Sequence, residues 1–176
     1  SLERRSKSEF KKLLVNMGGV DVDNVTENIL DELKICNLPN DINIIVVMGG
    51  AAPHLKSVKL KADILPYKIE VKVDIDNMAE IMANSDIAIG ASGSTTWERC
   101  CLGLPTIQIV IAENQNIIAK SLVRNNAIKI FQDRKELSGI ISDATNWMIS
   151  VSDIARQISD GLGSMRVMKV IIDRKL

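Results

Sequence analysis

The sequence predicts a doubly wound α/β domain, built on a parallel sheet of about six strands with helices on both faces. Short runs rich in Val and Ile recur along the 176 residues, and most are near-continuous in apolar residues rather than alternating. Such runs are typical of strands that are buried on both faces of a parallel sheet. Segments with apolar residues at helical spacing separate them. Repeated strand–helix units imply right-handed crossovers, which wind helices onto both faces of one sheet.

The elements follow one another in a regular order. The predicted strands are Leu13–Met17, Ile42–Met48, Ile69–Val73, Ile87–Ile89, Thr106–Ile111 and Ala127–Phe131. The first predicted helix follows Asp23 and Asn24, which suit a helix N-terminus, and the second starts at Asn77 with Glu80 as its capping partner. The remaining predicted helices are Thr95–Leu102, Gln115–Arg124, Arg134–Trp147 and Val151–Ile158.

The two ends of the chain differ from this pattern. Residues 1–11 are polar and basic, and we interpret them as a linker or the cut end of a longer chain, leaving 12–176 as a single domain. A turn at Asp160–Gly163 precedes Ser164–Lys175, which mixes apolar and basic residues. A sheet whose last helix is already placed does not need this tail. We expect it to pack across the domain or to reach a neighbouring domain.

Composition excludes several function classes. The 22 basic and 22 acidic residues balance, so the chain lacks the basic surface that nucleic-acid binding needs. Its longest apolar runs are too short to span a bilayer, and it opens on no signal-peptide pattern. The cysteines Cys36, Cys100 and Cys101 show no metal-binding spacing and cannot all pair. A reducing cytoplasm is the expected location, with no metal and no cofactor.

Three segments fall at the carboxyl edge of the predicted sheet, where ligands of open α/β sheets bind. The first runs from Asn16 to Asn24. Its Gly18 and Gly19 allow close approach of a phosphate or sugar, although an ordinary strand–helix turn explains a glycine pair equally simply.

The second segment, from Gly90 to Glu98, is the most informative part of the chain. A strand runs into the small residues Ser92, Gly93 and Ser94, and a helix opens at Thr95. Helix N-termini offer unpaired N–H groups and a partial positive charge, so phosphate is a natural guest. Glu98 lies one helical turn further on, where its carboxylate suits a ribose diol. The alternative is a capped helix whose acid only favours the positive end of the dipole.

The third segment is Ala112–Asn116, whose Asn114 and Gln115 supply amides suited to sugar hydroxyls. A helix-capping loop is the alternative for this segment. No catalytic nucleophile stands with a histidine and an acid: His54 is the only histidine, and a solvated or capping role is the simpler explanation for it. Asp21 and Asp23 lack the further ligands that a metal site requires.

The order of these motifs resembles a known family. The motifs are Gly18-Gly-x-Asp21 with Asn24, Ala91-Ser-Gly-Ser-Thr-Thr-Trp-Glu98, Gly103-Leu-Pro-Thr, Glu113-Asn-Gln-Asn116 and Asp160-Gly-Leu-Gly-x-x-Arg166. Together they look like the C-terminal half of UDP-2,4-diacetamido-2,4,6-trideoxy-β-L-altropyranose hydrolase (PseG-type), an enzyme family of pseudaminic acid biosynthesis. The resemblance covers roughly residues 12–172. More loosely, the chain resembles the C-terminal domain of MurG-type glycosyltransferases.

The resemblance implies a GT-B architecture, in which two Rossmann-like domains face a cleft and the C-terminal one holds UDP without a metal. It implies that Gly18, Gly19 and the Ser94–Thr95 helix start receive the pyrophosphate and that Glu98 binds ribose. It further implies that the loop before Met78 accepts uracil and that Asn114 and Gln115 reach the sugar. That family's catalytic histidine lies in the N-terminal domain, so we expect no catalytic residue here and no turnover by the isolated chain.

Three functions remain open from the sequence. The main hypothesis is the UDP-binding half of a nucleotide-sugar hydrolase that releases UDP from a UDP-linked amino sugar. One alternative is the UDP-sugar-binding half of a GT-B glycosyltransferase, in which an acceptor hydroxyl replaces water as the attacking group. The other is a noncatalytic interaction module that keeps the fold and has lost the ligand.

Overall fold

A computed structural model describes residues 9–173 of the chain, with the side chain of Arg134 excepted. The strands are β1 (Lys12–Asn16), β2 (Asn43–Met48), β3 (Lys68–Val73), β4 (Ile87–Ala91), β5 (Thr106–Ile109) and β6 (Lys129–Ile130). The helices are α1 (Val25–Ile35), α2 (Leu55–Ile64), α3 (Met78–Asn84), α4 (Thr95–Cys101), α5 (Asn116–Arg124), α6 (Arg134–Ser142), α7 (Ala144–Ile158) and α8 (Gly163–Asp173). A 3₁₀ turn at Glu113–Gln115 precedes α5. Most of the predicted linker, residues 1–8, lies outside the described residues.

The six strands form one parallel sheet in the order β3-β2-β1-β4-β5-β6. The chain builds outward from β1 to β3, crosses back to β4 beside β1, and builds outward again to β6. The strand order therefore reverses between β1 and β4, and a crevice opens at the carboxyl ends of such a pair. The predicted doubly wound sheet of about six strands is confirmed.

Core packing follows the alternation of side chains along each strand. On β1, Leu13 and Val15 enter the larger apolar cluster, which helices α1, α2, α6 and α7 cover. Leu14, between them, enters a smaller cluster with Ile81 and Met82 of α3 on the opposite face. Both faces of the central strands are thus buried, which explains their near-continuous Val and Ile content.

The structure departs from the predicted helices in two places. Helix α2 was not predicted, because only Val58 and Ala62 are buried along it and the apolar stripe is weak. The predicted helix Arg134–Trp147 breaks at Asp143. After this break, α7 continues without interruption through the separately predicted helix Val151–Ile158. Trp147 stabilises the junction, since its indole N–H donates to the carbonyl of Ile140 at 2.9 Å.

Helix α8 forms from the predicted tail but buries none of its residues. Its exposed apolar side chains are Met165, Val167, Met168, Val170, Ile171 and Ile172. Arg166 pairs with Asp160 in the preceding turn and ties the start of the helix. Of the two expectations for this tail, packing across the domain is therefore wrong for residues 163–173, and contact with a neighbouring domain stays a prediction. Within the part of the chain that the structure describes, α8 and the other helices are too short or too polar to cross a membrane.

Candidate functional site

A cleft of about 280 Å³ opens at the carboxyl ends of β1, β2 and β4, where the strand order reverses. Its walls are Asn16, Gly18, Gly19, Val47, Met48, Gly49, Asp74, Ile75, Met78 and Thr95. Four residues that the sequence singled out, Gly18, Gly19, Met78 and Thr95, therefore meet here from three separate loops. The side chain of Asn16 spans the floor, donating from its amide to the carbonyl of Val47 at 3.0 Å.

The first wall is the glycine loop between β1 and α1. Gly18 adopts a φ of 101°, a conformation that L side chains rarely adopt. The carbonyl of Gly19 accepts from the N–H of Gly49 at 3.0 Å, and an ideal Cβ on Gly49 would overlap that carbonyl oxygen. The carboxylate of Asp21 caps α1, accepting from the N–H groups of Val25 (2.9 Å) and Thr26 (2.8 Å). The loop is thus hydrogen-bonded to Gly49, directly after β2, and is held at the start of α1 by Asp21.

Asn24 belongs to this loop but not to the cleft. It precedes α1 in the left-handed conformation, and its amide donates to Glu27 Oε2 at 2.7 Å. Asp74, which the sequence did not single out, lies in the cleft wall and accepts from the N–H of Gly50 at 2.7 Å. Its φ of 48° marks a sharp turn after β3 that no residue pattern signals.

The second wall is the turn between β4 and α4. The backbone N–H groups of Gly93, Ser94 and Thr95 have no hydrogen-bond partner among residues 9–173. Ser94 is exposed and Gly93 is half-buried, so solvent or a ligand can reach these groups. Free amides at a helix start are the kind of donors that bind anions in other proteins.

Ser92 plays a different part from the one the sequence suggested. Its side chain is fully buried, and its hydroxyl donates to Gln108 Oε1 at 2.7 Å. Its backbone N–H is also occupied, by the carbonyl of Ile109 at 3.1 Å. Ser92 therefore supports the turn from below, and both of its donors are already occupied by protein acceptors.

A buried cation lies beneath the same turn. The side chain of Arg99 is 1% exposed, and its Nη2 donates to the carbonyl of Ala91 at 2.7 Å and to Thr96 Oγ1 at 3.1 Å. Burial lowers the pKa of this guanidinium to about 10, so it remains charged at neutral pH. Arg99 was not predicted as a site residue, because its position in a helix does not indicate that its side chain turns inward.

Glu98 lies on the outer face of α4, exposed to solvent. It borders a second cavity of about 400 Å³, lined mostly by apolar groups, with Ala79, Trp97, Cys101, Leu102, Ser159 and Gly161. The two cavities share the same two helices. Met78 and Thr95 line the first, whereas Ala79 and Glu98 line the second. A ligand that follows α4 from its N-terminus meets the free amides first and the carboxylate one turn later.

The third predicted segment lies apart from the cleft. Asn114 borders an open groove of about 820 Å³ with Glu113, Asn116, Ile117 and Lys120. Gln115 is partly committed to its own loop, since its Oε1 accepts from the N–H of Ile111 at 3.1 Å. These amides flank the carboxyl end of β5, and they would meet a ligand that extends beyond the cleft.

Catalytic and metal chemistry find little support in these residues. Across residues 9–173, no three acidic, histidine or cysteine side chains come together as metal ligands. His54 Nε2 lies 3.0 Å from the carbonyl of Val22 and does not line the cleft. The arrangement as described can bind an anion and a polar ligand.

A model of the glycosyltransferase family 28 C-terminal domain matches residues 13–152. The chain belongs to this family. Among curated proteins, the family 28 domain is similar to the spore coat polysaccharide biosynthesis protein SpsG of Bacillus subtilis. The two are 27% identical over 177 residues, which cover 95% of this chain and 51% of SpsG.

It is also similar to the UDP-N-acetylglucosamine--N-acetylmuramyl-(pentapeptide) pyrophosphoryl-undecaprenol N-acetylglucosamine transferase of Pediococcus pentosaceus. That likeness is 31% identity over 123 residues, covering 66% of this chain and 32% of the transferase. The family 28 domain spans between 23% and 51% of the length of the curated relatives that it matches.

Among solved structures, the family 28 domain superposes on Acinetobacter baumannii MurG with a TM-score of 0.83 at 20% identity. The match covers 97% of this chain and 52% of MurG, so the fold is that of the C-terminal half of a two-domain GT-B protein. The predicted likeness to MurG-type proteins is confirmed. The finer likeness to the pseudaminic acid hydrolases stays a prediction.

Proposed function

We propose that this family 28 domain is the UDP-sugar-binding half of a two-domain GT-B glycosyltransferase. The observation that carries the proposal is the set of three free N–H groups at Gly93–Thr95, set beside the cleft between β1 and β4. A diphosphate needs several donors, and a turn that leaves its amides unpaired offers them without reorganisation. The glycine loop at Gly18 and Gly19 forms the facing wall, so a phosphate there lies between two backbones.

The nucleoside occupies the space between α3 and α4 in this proposal. Uracil lies against the loop that ends at Met78, and the apolar lining of the second cavity suits one face of the base. Glu98 then accepts hydrogen bonds from the ribose hydroxyls, one helical turn beyond the phosphates. Asn114 and Gln115 lie on the side of the sheet that the sugar would reach.

The comparisons favour the transferase alternative over the hydrolase that the sequence first suggested. A family 28 model covers most of the chain, and the relatives include transferases whose names contain UDP-N-acetylglucosamine. Hydrolysis of a UDP-linked amino sugar remains a second candidate. The motif order from Gly18 to Arg166 supports it, and SpsG, a polysaccharide biosynthesis protein, covers nearly the whole chain. Both activities need a second domain to bind or activate the attacking group, which is an acceptor hydroxyl or water, and we propose that the isolated chain turns over nothing.

Calorimetric titration of the 176-residue chain with UDP tests the binding proposal. We expect saturable binding of UDP that is weaker for UMP, because one phosphate fewer meets the free amides, and weaker for ADP. Absence of heat and of any protection against thermal unfolding at millimolar UDP would overturn the proposal and favour the noncatalytic module. To separate the two enzymes, the intact two-domain protein is incubated with UDP-sugars in ¹⁸O-labelled water. Label in the freed sugar supports the hydrolase.

We propose the N-terminal half of the enzyme as the partner of helix α8, whose apolar side chains are uncovered in residues 163–173. The three cysteines are free thiols, as expected for a reducing cytoplasm, where we place the reaction.

Ending the chain at Gly161 is expected to change the free energy of unfolding by less than about 0.5 kcal/mol, since α8 buries nothing against the domain. Self-association, measured by sedimentation velocity, falls because the exposed apolar surface is gone. A matched variant of the 176-residue chain with Met168 and Ile171 both replaced by lysine is expected to give the same fall. A loss of stability above about 2 kcal/mol would show that the helix supports this domain.

A further inference from the structure

The buried guanidinium of Arg99 forms no ion pair in the part of the chain that the structure describes, although the exposed carboxylate of Glu98 raises its pKa from beyond ion-pair distance. None of the ion pairs there involves its guanidinium, and its Nε and Nη1 atoms are buried without a hydrogen-bond partner. Burying an unpaired cation is costly, and proteins normally place a carboxylate beside it. The chain instead places it under the turn that carries the free amides.

The sequence is built around this cation. An ideal Cβ on Gly90 would overlap Arg99 Nη1 and would lie 3.0 Å from Arg99 Cζ and from the carbonyl oxygen of Asn16, so glycine lets the guanidinium lie against β4 in this position. Gly90 is in β4, where a glycine weakens a strand and usually marks a close approach. The close approach here is made by the arginine itself.

Arg99 also fixes both ends of the turn. Its Nη2 bonds the carbonyl of Ala91, where β4 ends, and Thr96 Oγ1, in the first turn of α4. Gln108 on β5 completes the network by donating to the same Thr96 Oγ1 at 3.0 Å and accepting from Ser92. The side chains of this network are all buried, and none of them accepts a hydrogen bond from the N–H groups of Gly93–Thr95.

We infer that Arg99 is a positioning residue for the diphosphate: it holds the β4–α4 turn from beneath and supplies the positive charge that a bound diphosphate neutralises. The inference rests on the proposed function, since it requires a diphosphate at that turn. A charge in a poorly polarisable interior acts on an anion beyond hydrogen-bond distance, because little water screens it. The ligand thereby adds its negative charge to that of Glu98, which acts on Arg99 only from beyond ion-pair distance.

A plain structural role for Arg99 makes a different prediction. A strut that only keeps α4 in place would affect the nucleoside and the phosphates together, since both lie along that helix. A charge that serves the diphosphate affects UDP and leaves uridine alone. Affinities for the two ligands therefore separate the two roles.

The test compares Arg99→Met and Arg99→Lys with the unsubstituted chain by titration with UDP and with uridine. We expect Arg99→Met to weaken UDP binding by about tenfold or more while uridine affinity stays within twofold, and Arg99→Lys to recover part of the loss because it restores the charge. Equal losses for UDP and uridine, or unchanged UDP affinity in Arg99→Met, would overturn the inference. Absence of UDP binding by the unsubstituted chain would overturn the proposed function and this inference with it.

A measurement on the unsubstituted chain keeps the inference testable should Arg99→Met fail to fold. The Arg99 Nε–H group is buried and without a partner, so its NMR signal is expected to exchange slowly and to be observable. UDP should shift this signal and uridine should leave it in place. A signal that ignores saturating UDP, or that responds equally to both ligands, would contradict the inference.

Discussion

Gly49→Ala is expected to weaken UDP binding by roughly ten- to a hundredfold. The added Cβ would overlap the carbonyl oxygen of Gly19 and would lie 3.1 Å from its carbonyl carbon. Both atoms are backbone, so the methyl group can be accommodated only if the glycine loop moves away from β2. That loop forms one wall of the cleft, and its displacement widens the gap that a phosphate must bridge.

The same substitution should also lower the free energy of unfolding by about 1–3 kcal/mol, as overpacking of a close contact does. Denaturant unfolding measures this loss, and UDP titration well below the melting temperature measures the affinity. Gly139→Ala is the matched control. Nothing lies within 4 Å of its added Cβ, and the site is inside α6, so stability should rise by about 0.5–1 kcal/mol with UDP affinity unchanged. A Gly49→Ala variant that binds UDP like the unsubstituted chain would remove the glycine loop from the site.

Glu98→Ala is expected to reduce the binding free energy of UDP by about 1–3 kcal/mol, which corresponds to roughly five- to 140-fold in affinity. The physical reason is the loss of charge-assisted hydrogen bonds from the ribose hydroxyls to the carboxylate. Because Glu98 is exposed, its removal leaves no buried group without a partner, and the free energy of unfolding should stay within about 0.5 kcal/mol. Glu98→Gln keeps the shape of the side chain and loses its charge, so its UDP affinity should fall between those of the unsubstituted chain and Glu98→Ala.

The sugar ring supplies the sharper form of this experiment. 2′-Deoxy-UDP lacks one of the two hydroxyls, so it should bind the unsubstituted chain more weakly than UDP but bind Glu98→Ala almost as well as UDP does. Glu70→Ala, which removes an exposed carboxylate from β3, is the control and should leave both ligands unaffected. Equal discrimination between UDP and its 2′-deoxy form in Glu98→Ala would refute contact between this acid and the ribose.

Sequence patterns predicted the sheet well because burial on both faces requires apolar residues at successive positions of the central strands. β1, β2 and β4 are apolar throughout their interior positions, and the predicted strands match the observed ones within a few residues. The edge of the sheet was less predictable. The predicted strand Ala127–Phe131 is observed only as β6 (Lys129–Ile130), because an edge strand pairs on one side only, here with β5. Helix α2 was not predicted because only Val58 and Ala62 are buried along it.

Site residues were predictable where a local sequence signal marks them and not where their role depends on a tertiary contact. Gly18, Gly19 and Thr95 were predictable because turn residues and helix starts carry local signals, and the structure brings them to one cleft. Arg99 and Gly90 were not predictable, because their relation depends on a side chain that crosses from α4 to β4. Ser92 looked like a ligand by position, whereas a partner on a neighbouring strand, Gln108, claims its hydroxyl.

The central claim is that the free amides of the β4–α4 turn bind the diphosphate of a UDP-sugar. Amide NMR of the 176-residue chain, titrated with UDP, measures this directly. We predict saturable shifts of the Gly93, Ser94 and Thr95 N–H signals, together with those of Gly18 and Gly19, at one shared dissociation constant. Signals that stay fixed at these positions while UDP saturates elsewhere on the chain, or at no position at all, would contradict the claim.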